Sequence, residues 1–282
     1  MLYERIRQSR LPHIVELRAE LEDMYSAYER HADPHFLREF QIQTHARFWE
    51  MYLTRCLQEA GLAVSSFGGK GPDIALLHNG KRIIIEAVQA TPGAEDSPDR
   101  CPDFPENEAV IFPEEQMLLR YRCALEAKRI KREEYIASGL VAPDDVFIVA
   151  INAGGIPMAF VSEDPPRILS ALYPIGSAQV IVDVATHEAV EAGYTYRPSV
   201  KKSCGSDVRT DVFVDEAYSG ISGVVYSGVN LLNMPPARGK DLVLVHSLVA
   251  SSPVPSGWWP FAEEWAARRE GEGLVIDRIH QR

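Results

Sequence analysis

The first half of the chain carries apolar residues at helical spacing. Residues 3–31 alternate charged and apolar positions, which predicts an amphipathic helix that ends at Asp33-Pro34. A second helix is predicted over residues 37–60, where aromatic and aliphatic side chains fill one face. A third is predicted over residues 113–136, because a proline and two glutamates open it.

Short apolar runs typical of β-strands occupy much of the remaining sequence. The run VFIVA at residues 146–150 is β-branched or aromatic almost throughout, which is typical of a buried central strand. Further strands are predicted at residues 63–67, 74–77, 83–85, 156–161, 178–184, 221–226 and 242–246, and a short helix at residues 168–173. The mixture of helices and strands predicts an α/β fold.

The stretch GGKGPDIALLHNGKRIIIEAVQ, residues 68–89, carries the strongest local signal. Asn79-Gly80 lies between two apolar runs and predicts a β-hairpin, because a type I′ turn needs positive φ at both central residues. With this turn, the residue numbers of each cross-strand pair add up to 159. Asp73 then lies opposite Glu86 on one face of the sheet, with the two Cβ atoms about 5 Å apart.

Two carboxylates placed opposite each other repel, unless one is protonated or a cation lies between them. Glu50, in RFWEMYL of the second predicted helix, adds a third carboxylate to the same region, or is an ordinary surface glutamate. Carboxylate oxygens are the ligands that Mg²⁺ or Mn²⁺ prefers. We therefore expect a metal site at Asp73 and Glu86, and the chemistry that suits such a site is phosphodiester hydrolysis.

The third predicted helix presents a basic face. Arg120, Lys128 and Lys131 project within about 80° of one another, with Ala124 between them. A small residue framed by three cations suits the close approach of an anion, although a solvated basic face gives the same pattern. If this face lies beside the carboxylates, Lys128 is placed to act on a phosphate, and removing a solvated lysine is expected to cost little stability.

Composition limits the partners of the chain. The net charge is −11, from 29 basic and 40 acidic residues, so a nucleic-acid ligand requires positive charge concentrated in one groove. The four cysteines form no CxxC pair, which favours reduced thiols over a zinc site or a disulfide framework. No stretch reaches the ~20 apolar residues of a membrane span, and the N-terminus lacks a signal-peptide pattern. We expect a cytoplasmic protein with no membrane partner; the sequence sets no oligomeric state.

Three segments taken together resemble the PD-(D/E)xK nuclease superfamily, the restriction-endonuclease-like fold. They are the glutamate in FWEMYL, the GPD after a glycine-rich turn, and the strand ending in IIIEA, all within residues 40–90. The resemblance implies a mixed central sheet flanked by helices. It implies metal ligands at Asp73 and Glu86, and it matches Glu50 to the helix glutamate often present in that superfamily.

The chain departs from the superfamily pattern at one position. The lysine two residues after the second acidic ligand is replaced by Val88, and strand alternation points Gln89 to the opposite face. In some members the lysine function lies on the following helix, which here implies Lys128 as a catalytic residue. Arg120, Lys131 and, in the glycine-rich turn, Lys70 are the candidates for binding the substrate phosphate.

The predicted organisation is an N-terminal helical extension over residues 1–35, a nuclease-like α/β core over residues 36–155, and a C-terminal β-rich elaboration of the same domain over residues 156–282. The leading functional interpretation is a Mg²⁺- or Mn²⁺-dependent endonuclease acting on DNA or RNA. One alternative is a catalytically inactive nuclease fold used as a binding or assembly module. Another is an unrelated α/β enzyme acting on a small anionic substrate, with the acidic, proline-rich loop at residues 91–112 as a lid.

Overall fold

Eleven strands form three sheets in the computed structural model, which describes residues 2–103, 111–161, 163–271 and 273–279. The strands are β1 (Ile74–His78), β2 (Lys81–Gln89), β3 (Val146–Asn152), β4 (Ile175–Val182), β5 (Ala189–Tyr196), β6 (Ser199–Lys201), β7 (Asp207–Arg209), β8 (Gly223–Ser227), β9 (Val243–His246), β10 (Glu263–Glu270) and β11 (Gly273–Arg278). Seven of them build one mixed sheet in the order β1-β2-β3-β8-β9-β10-β11. The strands β4-β5 and β6-β7 form two small separate sheets.

The large sheet mixes parallel and antiparallel pairs: both outermost pairs and the interior pair β8-β9 are antiparallel, and the others are parallel. Strands β2, β3 and β8 run parallel to one another, as do β9 and β10. The pairs β1-β2, β8-β9 and β10-β11 are antiparallel. All seven residues of β3 are buried, as the run of β-branched and aromatic residues predicts for a central strand.

Helices cover both faces of this sheet. They are α1 (Leu2–Gln8), α2 (Pro12–Tyr28), α3 (Phe36–Ile42), α4 (Thr44–Glu59), α5 (Glu114–Ala137) and α6 (Leu169–Leu172). The α4 helix packs on the face that carries Ile83 and Ile85, whereas α5 packs on the face that carries Ile84. The general α/β class is therefore confirmed, and strand alternation places Glu86 on the face covered by α5.

The predicted hairpin register is confirmed. His78 pairs with Lys81 and Ile74 pairs with Ile85, so the residue numbers of each pair add up to 159. The turn residues Asn79 and Gly80 have φ values of 50° and 79°, as a type I′ turn requires.

Two predicted helices are interrupted. The predicted helix at residues 3–31 is α1 and α2, with Pro12 at the start of α2, followed by a 3₁₀ turn at Glu29–His31. The predicted helix at residues 37–60 is α3 and α4, because Gln43 leaves the helical region with φ −117° and ψ 50°.

Two predicted strands are wrong. Residues 63–67 make only one bridge to the sheet, between Ser65 and Ala75, because the adjoining glycine-rich turn carries the chain away from β1. Residues 156–161 form turns, since Ala159 N donates to Ile156 O and Val161 N donates to Met158 O. Met158 there has a φ of 67°, outside the β region.

The C-terminal part joins the same sheet as the core. Strands β8 to β11 extend the sheet beyond β3, and β10-β11 is a hairpin that the sequence did not predict. Of the predicted loop at residues 91–112, residues 104–110 lie outside the described part. Within the described residues, no helix has the length and apolar character that a bilayer crossing needs.

Candidate active site

Glu86 is the centre of the site. It lies in the middle of β2, is only 3% exposed, and faces α5. Its Oε1 accepts hydrogen bonds from Lys128 Nζ at 2.7 Å and from the Tyr135 hydroxyl at 3.3 Å. Lys128 and Tyr135 are seven residues apart, two helical turns, so one face of α5 delivers both groups to one oxygen.

The second carboxylate oxygen of Glu86 differs from the first in lacking a hydrogen bond within the described part of the chain. Oε2 is buried and has no hydrogen-bond partner among the described residues. A buried carboxylate oxygen left in this way costs free energy, and buried polar atoms in proteins nearly always have a partner. This oxygen is therefore the strongest local indication of a ligand.

Asp73 is held against the same strand. Its Oδ2 accepts a hydrogen bond of 2.7 Å from the backbone N–H of Ala87, which fixes the carboxylate beside Glu86. Burial raises the pKa of Asp73 well above its ordinary value, and the negative charges of Glu86 and Glu50 raise it further. Lys128 acts in the opposite direction and lowers this pKa.

Glu50 interacts with this group from α4. Its Oε2 accepts from Arg47 Nη1 at 2.7 Å and from the Tyr28 hydroxyl at 3.5 Å. Burial raises the pKa of Glu50, while Arg47 and Lys128 lower it. Asp73, Glu86, Glu50 and Lys128 therefore form one electrostatically coupled group, although Glu50 is already neutralised by a neighbour of its own.

The glycine-rich turn is packed tightly against the N-terminal helices. Gly69 has a φ of 77°, and a Cβ at this position would lie 2.7 Å from Asp33 Cβ. Asp33 in turn lies 3.3 Å from Arg47. Only glycine allows this approach, which carries the chain past the helices and into Asp73.

The three cations of the predicted basic face are placed differently. Lys128 contacts Glu86, as the prediction required. Lys131 is exposed, pairs with Glu134 at 2.8 Å, and interacts electrostatically with Glu86. Arg120 does not reach this group: its Nε donates to Thr91 O at 2.8 Å, because it lies eight residues before Lys128, about 12 Å along the helix axis.

The remaining sequence candidates lie as follows. Lys70 is exposed in the glycine-rich turn. Val88 is half-buried and packs against the apolar core beneath α5. Gln89 lies against Gly155 on the other side of the strand, so it is not beside Glu86.

Three groups around the carboxylates were not predicted from the sequence. Tyr135 was not singled out, although its spacing from Lys128 repeats the helical period and so contained a signal. Arg47 lies three residues before Glu50 on α4, a spacing that contained a local signal. Tyr28 reaches Glu50 from α2, and the relative placement of the two helices has no local sequence signal. The burial of Tyr135 and the charge of Glu86 raise the pKa of that tyrosine, so its hydroxyl remains a hydrogen-bond donor at neutral pH.

The donor set fits a hard divalent cation that keeps several water ligands. Within the described ranges, no cluster of three or more His, Cys, Asp or Glu side chains has the spacing of a metal site. Two carboxylates are nevertheless sufficient for Mg²⁺, which is commonly held by one or two carboxylates and water. Glu86 Oε2 and the Asp73 carboxylate are the groups that would hold it.

Comparison with protein-family models, with curated proteins and with solved structures found no match for this chain. The resemblance to the PD-(D/E)xK superfamily therefore stays a prediction that rests on the motif residues and on the geometry around Glu86.

Proposed function

We propose that this protein is a metal-dependent phosphodiester hydrolase that acts on DNA or RNA. One observation carries the proposal: Glu86 offers one oxygen to Lys128 and keeps the other buried and without a partner among the described residues. A second carboxylate, Asp73, is fixed against the next residue of the same strand. Two acidic oxygens and a lysine at one place are the components of a metal-assisted phosphoryl site.

Asp73 and Glu86 would hold the cation. When bound, Mg²⁺ or Mn²⁺ supplies positive charge to a phosphate oxygen and increases the acidity of a coordinated water. The hydrogen bond from Ala87 N orients Asp73 for this task, and the contacts from Lys128 and Tyr135 orient Glu86. These fixed contacts reduce the reorganisation that binding requires.

Lys128 has two roles in the proposal. It holds Glu86 in place, and its ammonium group carries further N–H donors for an oxygen of the substrate phosphate. Charge that develops on that phosphate is stabilised best by a donor that is already oriented. The Lys128 side chain is 21% exposed, so part of it is in contact with solvent.

The position of Lys128 also accounts for the departure at Val88. A lysine side chain from α5 reaches the same carboxylate that a lysine on β2 would have flanked. Val88 instead contributes its side chain to the apolar core. We therefore assign the cationic function to α5.

One observation favours a second candidate function, an inactive nuclease fold that serves as a binding or assembly module. The Lys128–Glu86 ion pair neutralises the most buried carboxylate of the site without a metal. An ion pair of this kind is also what a purely structural site contains. The two candidates differ in whether a divalent cation binds at Asp73 and Glu86 and whether the protein then cleaves nucleic acid.

A cation titration tests the metal site. Thermal unfolding is followed at increasing Mn²⁺ and then Mg²⁺ concentrations for the wild type, Asp73→Asn, Glu86→Gln and the exposed control Glu134→Gln. We expect the midpoint to rise with cation concentration in the wild type and in the control, and to be insensitive in both site variants. Equal responses in all four proteins would contradict the metal site.

A further inference from the structure

A second cationic site lies beside α5, where Arg132 follows Lys128 by one helical turn. A cavity of about 310 Å³ is lined by Arg129, Arg132 and Glu133 from the helix, by Pro143, by the turn at residues 217–221, and by Ser251. We call it the arginine cavity. Its volume is within the range of small-molecule sites, roughly 300 to 1,000 Å³.

Arg132 is the buried cation of this cavity. The residue is 6% exposed, and its guanidinium donates to Pro143 O at 3.1 Å and to Glu133 at 2.9 Å. Its Nε is buried and has no hydrogen-bond partner among the described residues. Glu133 is the only carboxylate paired with Arg132 among the described residues. Its side chain is 60% exposed, so it is solvated and readily exchanged for another anion.

The turn facing Arg132 is built to let the guanidinium approach the backbone. A Cβ on Gly220 would lie 2.6 Å from Arg132 Nη1 and 2.8 Å from its Cζ. The turn is held in place from another loop, because both the N–H and the hydroxyl of Ser251 donate to Ser219 O. The absence of a side chain at Gly220 thus allows the Arg132 guanidinium to lie directly against the backbone of this turn.

Two further arginines lie near the cavity, and Glu126 offsets part of their charge, because it pairs with Arg129 at 2.6 Å and interacts electrostatically with Arg122. Arg129 and Arg122 both lie over the ring of Tyr218, at 5.5 and 5.1 Å from its centroid. Arg122 is 5% exposed, and it donates to neutral oxygens only, Arg209 O and the Tyr218 hydroxyl, in its described hydrogen bonds. Its Nη1 is a second buried donor without a described partner. Glu126 and Asp211 are the nearby carboxylates that favour the charged form of Arg122, without a direct hydrogen bond to it among the described contacts.

We propose that the arginine cavity binds a phosphate group, as a free phosphate monoester or as part of a nucleic-acid backbone. The planar fork of Arg132 and the partly exposed guanidinium of Arg129 suit the oxygens of one phosphate. The two guanidinium groups come from positions three residues apart on α5, so they can approach different oxygens of a tetrahedral anion. The proposal is independent of the metal site, because none of these residues contacts Asp73 or Glu86 in the described hydrogen bonds and ion pairs.

The test is calorimetric titration of the full chain with inorganic phosphate, with acetate, and with a short single-stranded oligonucleotide, all at low ionic strength with EDTA. The variants are Arg129→Gln, Gly220→Ala, Asp73→Asn, and Arg268→Gln, an exposed arginine that is paired with Glu270 at 2.9 Å. Gly220→Ala displaces only the end of a flexible side chain, so it keeps the fold, which circular dichroism checks.

We expect phosphate to bind the wild type and the two controls, Asp73→Asn and Arg268→Gln, with equal affinity. It should bind the two cavity variants, Arg129→Gln and Gly220→Ala, about tenfold more weakly, since a charged hydrogen bond contributes about 1.5 to 3 kcal/mol. A parallel loss for the oligonucleotide assigns the site to a backbone phosphate, and a loss for inorganic phosphate alone assigns it to a free phosphate. No phosphate binding by the wild type, equal binding by acetate, or undiminished binding by both cavity variants would overturn the proposal.

Discussion

The ammonium nitrogen of Lys128 lies 2.7 Å from Oε1 of Glu86, although 42 residues separate the two in sequence. The contact joins the middle of α5 to the middle of β2 across the face of the sheet. It supplies the carboxylate with a cation that the strand itself lacks, because the residue two positions after Glu86 is Val88. The site is thus assembled from two elements.

This contact changes the expected effect of removing the lysine. A solvated lysine would contribute little to folding, but Lys128 is mostly buried against a carboxylate that is 3% exposed. We expect Lys128→Met to lower the free energy of unfolding by about 2 to 3 kcal/mol, because it leaves that carboxylate without its cation. Urea unfolding at pH 7 measures the change. The control Lys201→Met removes an exposed ion pair with Asp207 and should change stability by less than ~0.5 kcal/mol.

The raised pKa of Asp73 predicts a pH dependence. A folded-state pKa above the unfolded value means that the folded protein binds the proton more tightly. Stability is therefore full below about pH 4, and it is lost as the pH rises toward the folded-state pKa. Asp73→Asn cannot lose this proton, so it should exceed the wild type in stability at pH 8 by about 1.4 kcal/mol for each unit of the shift.

Urea unfolding at pH 4 and pH 8, with EDTA present, measures this difference. The two proteins should be close in stability at pH 4 and separate at pH 8. Asp207→Asn, at an exposed carboxylate, provides the control for loss of a charge. A difference between wild type and Asp73→Asn that is the same at both pH values would contradict the assignment.

The hairpin turn offers a matched pair of glycine substitutions. A Cβ at Gly80 or at Gly193 would meet no atom within 4 Å, but only Gly80 has a positive φ, 79°. Gly80→Ala should therefore lower the free energy of unfolding by about 1 kcal/mol, and Gly193→Ala should not lower it. Thermal unfolding of the two variants distinguishes backbone strain at positive φ from a general effect of replacing glycine by alanine. Equal destabilisation of both variants would mean that the positive φ of Gly80 is not the cause.

The variant Val88→Lys tests whether Lys128 on α5 has taken the role of the lysine that is absent from β2. Val88→Lys places an amine into the apolar core beneath the helix, so we expect a loss of about 1 to 3 kcal/mol in stability and no gain in metal-dependent cleavage. A large gain in cleavage rate would show that the strand position is still the effective one, and the role given to Lys128 would be wrong.

The sequence contained the essential geometry of the site. Asn79-Gly80 sets the hairpin register through its turn, and this register runs as far as the pair Ile74–Ile85, next to Asp73 and Glu86. The hydrogen bond from Ala87 N then holds Asp73 beside Glu86. Lys128 was found through helical periodicity, which fixes the face of α5 but not the strand beneath it. Arg120 shows the limit of that method, because residues on one helical face can still lie about 12 Å apart along the axis.

Other elements depend on tertiary contacts that a local pattern does not contain. The β10 sequence, EEWAARRE, is rich in helix-forming residues, yet it pairs with β9 and β11. The apolar segment at residues 156–161 satisfied the strand pattern, but its side chains pack from a series of turns. Tyr28 reaches Glu50 only because α2 and α4 pack side by side, whereas Arg47 lies on the same helix as Glu50, three residues before it.

The most direct test of the proposed function is a nucleic-acid cleavage assay with Mn²⁺. Labelled single- and double-stranded DNA and RNA are incubated with the wild type, Asp73→Asn, Lys128→Met and Lys201→Met, at a temperature where all four remain folded. We predict cleavage of at least one substrate by the wild type and by Lys201→Met, and a loss of at least about a hundredfold in Asp73→Asn and Lys128→Met, the size typical of removing one stabilising group. Absence of cleavage by the wild type on every substrate, or full activity in Lys128→Met, would contradict the mechanism.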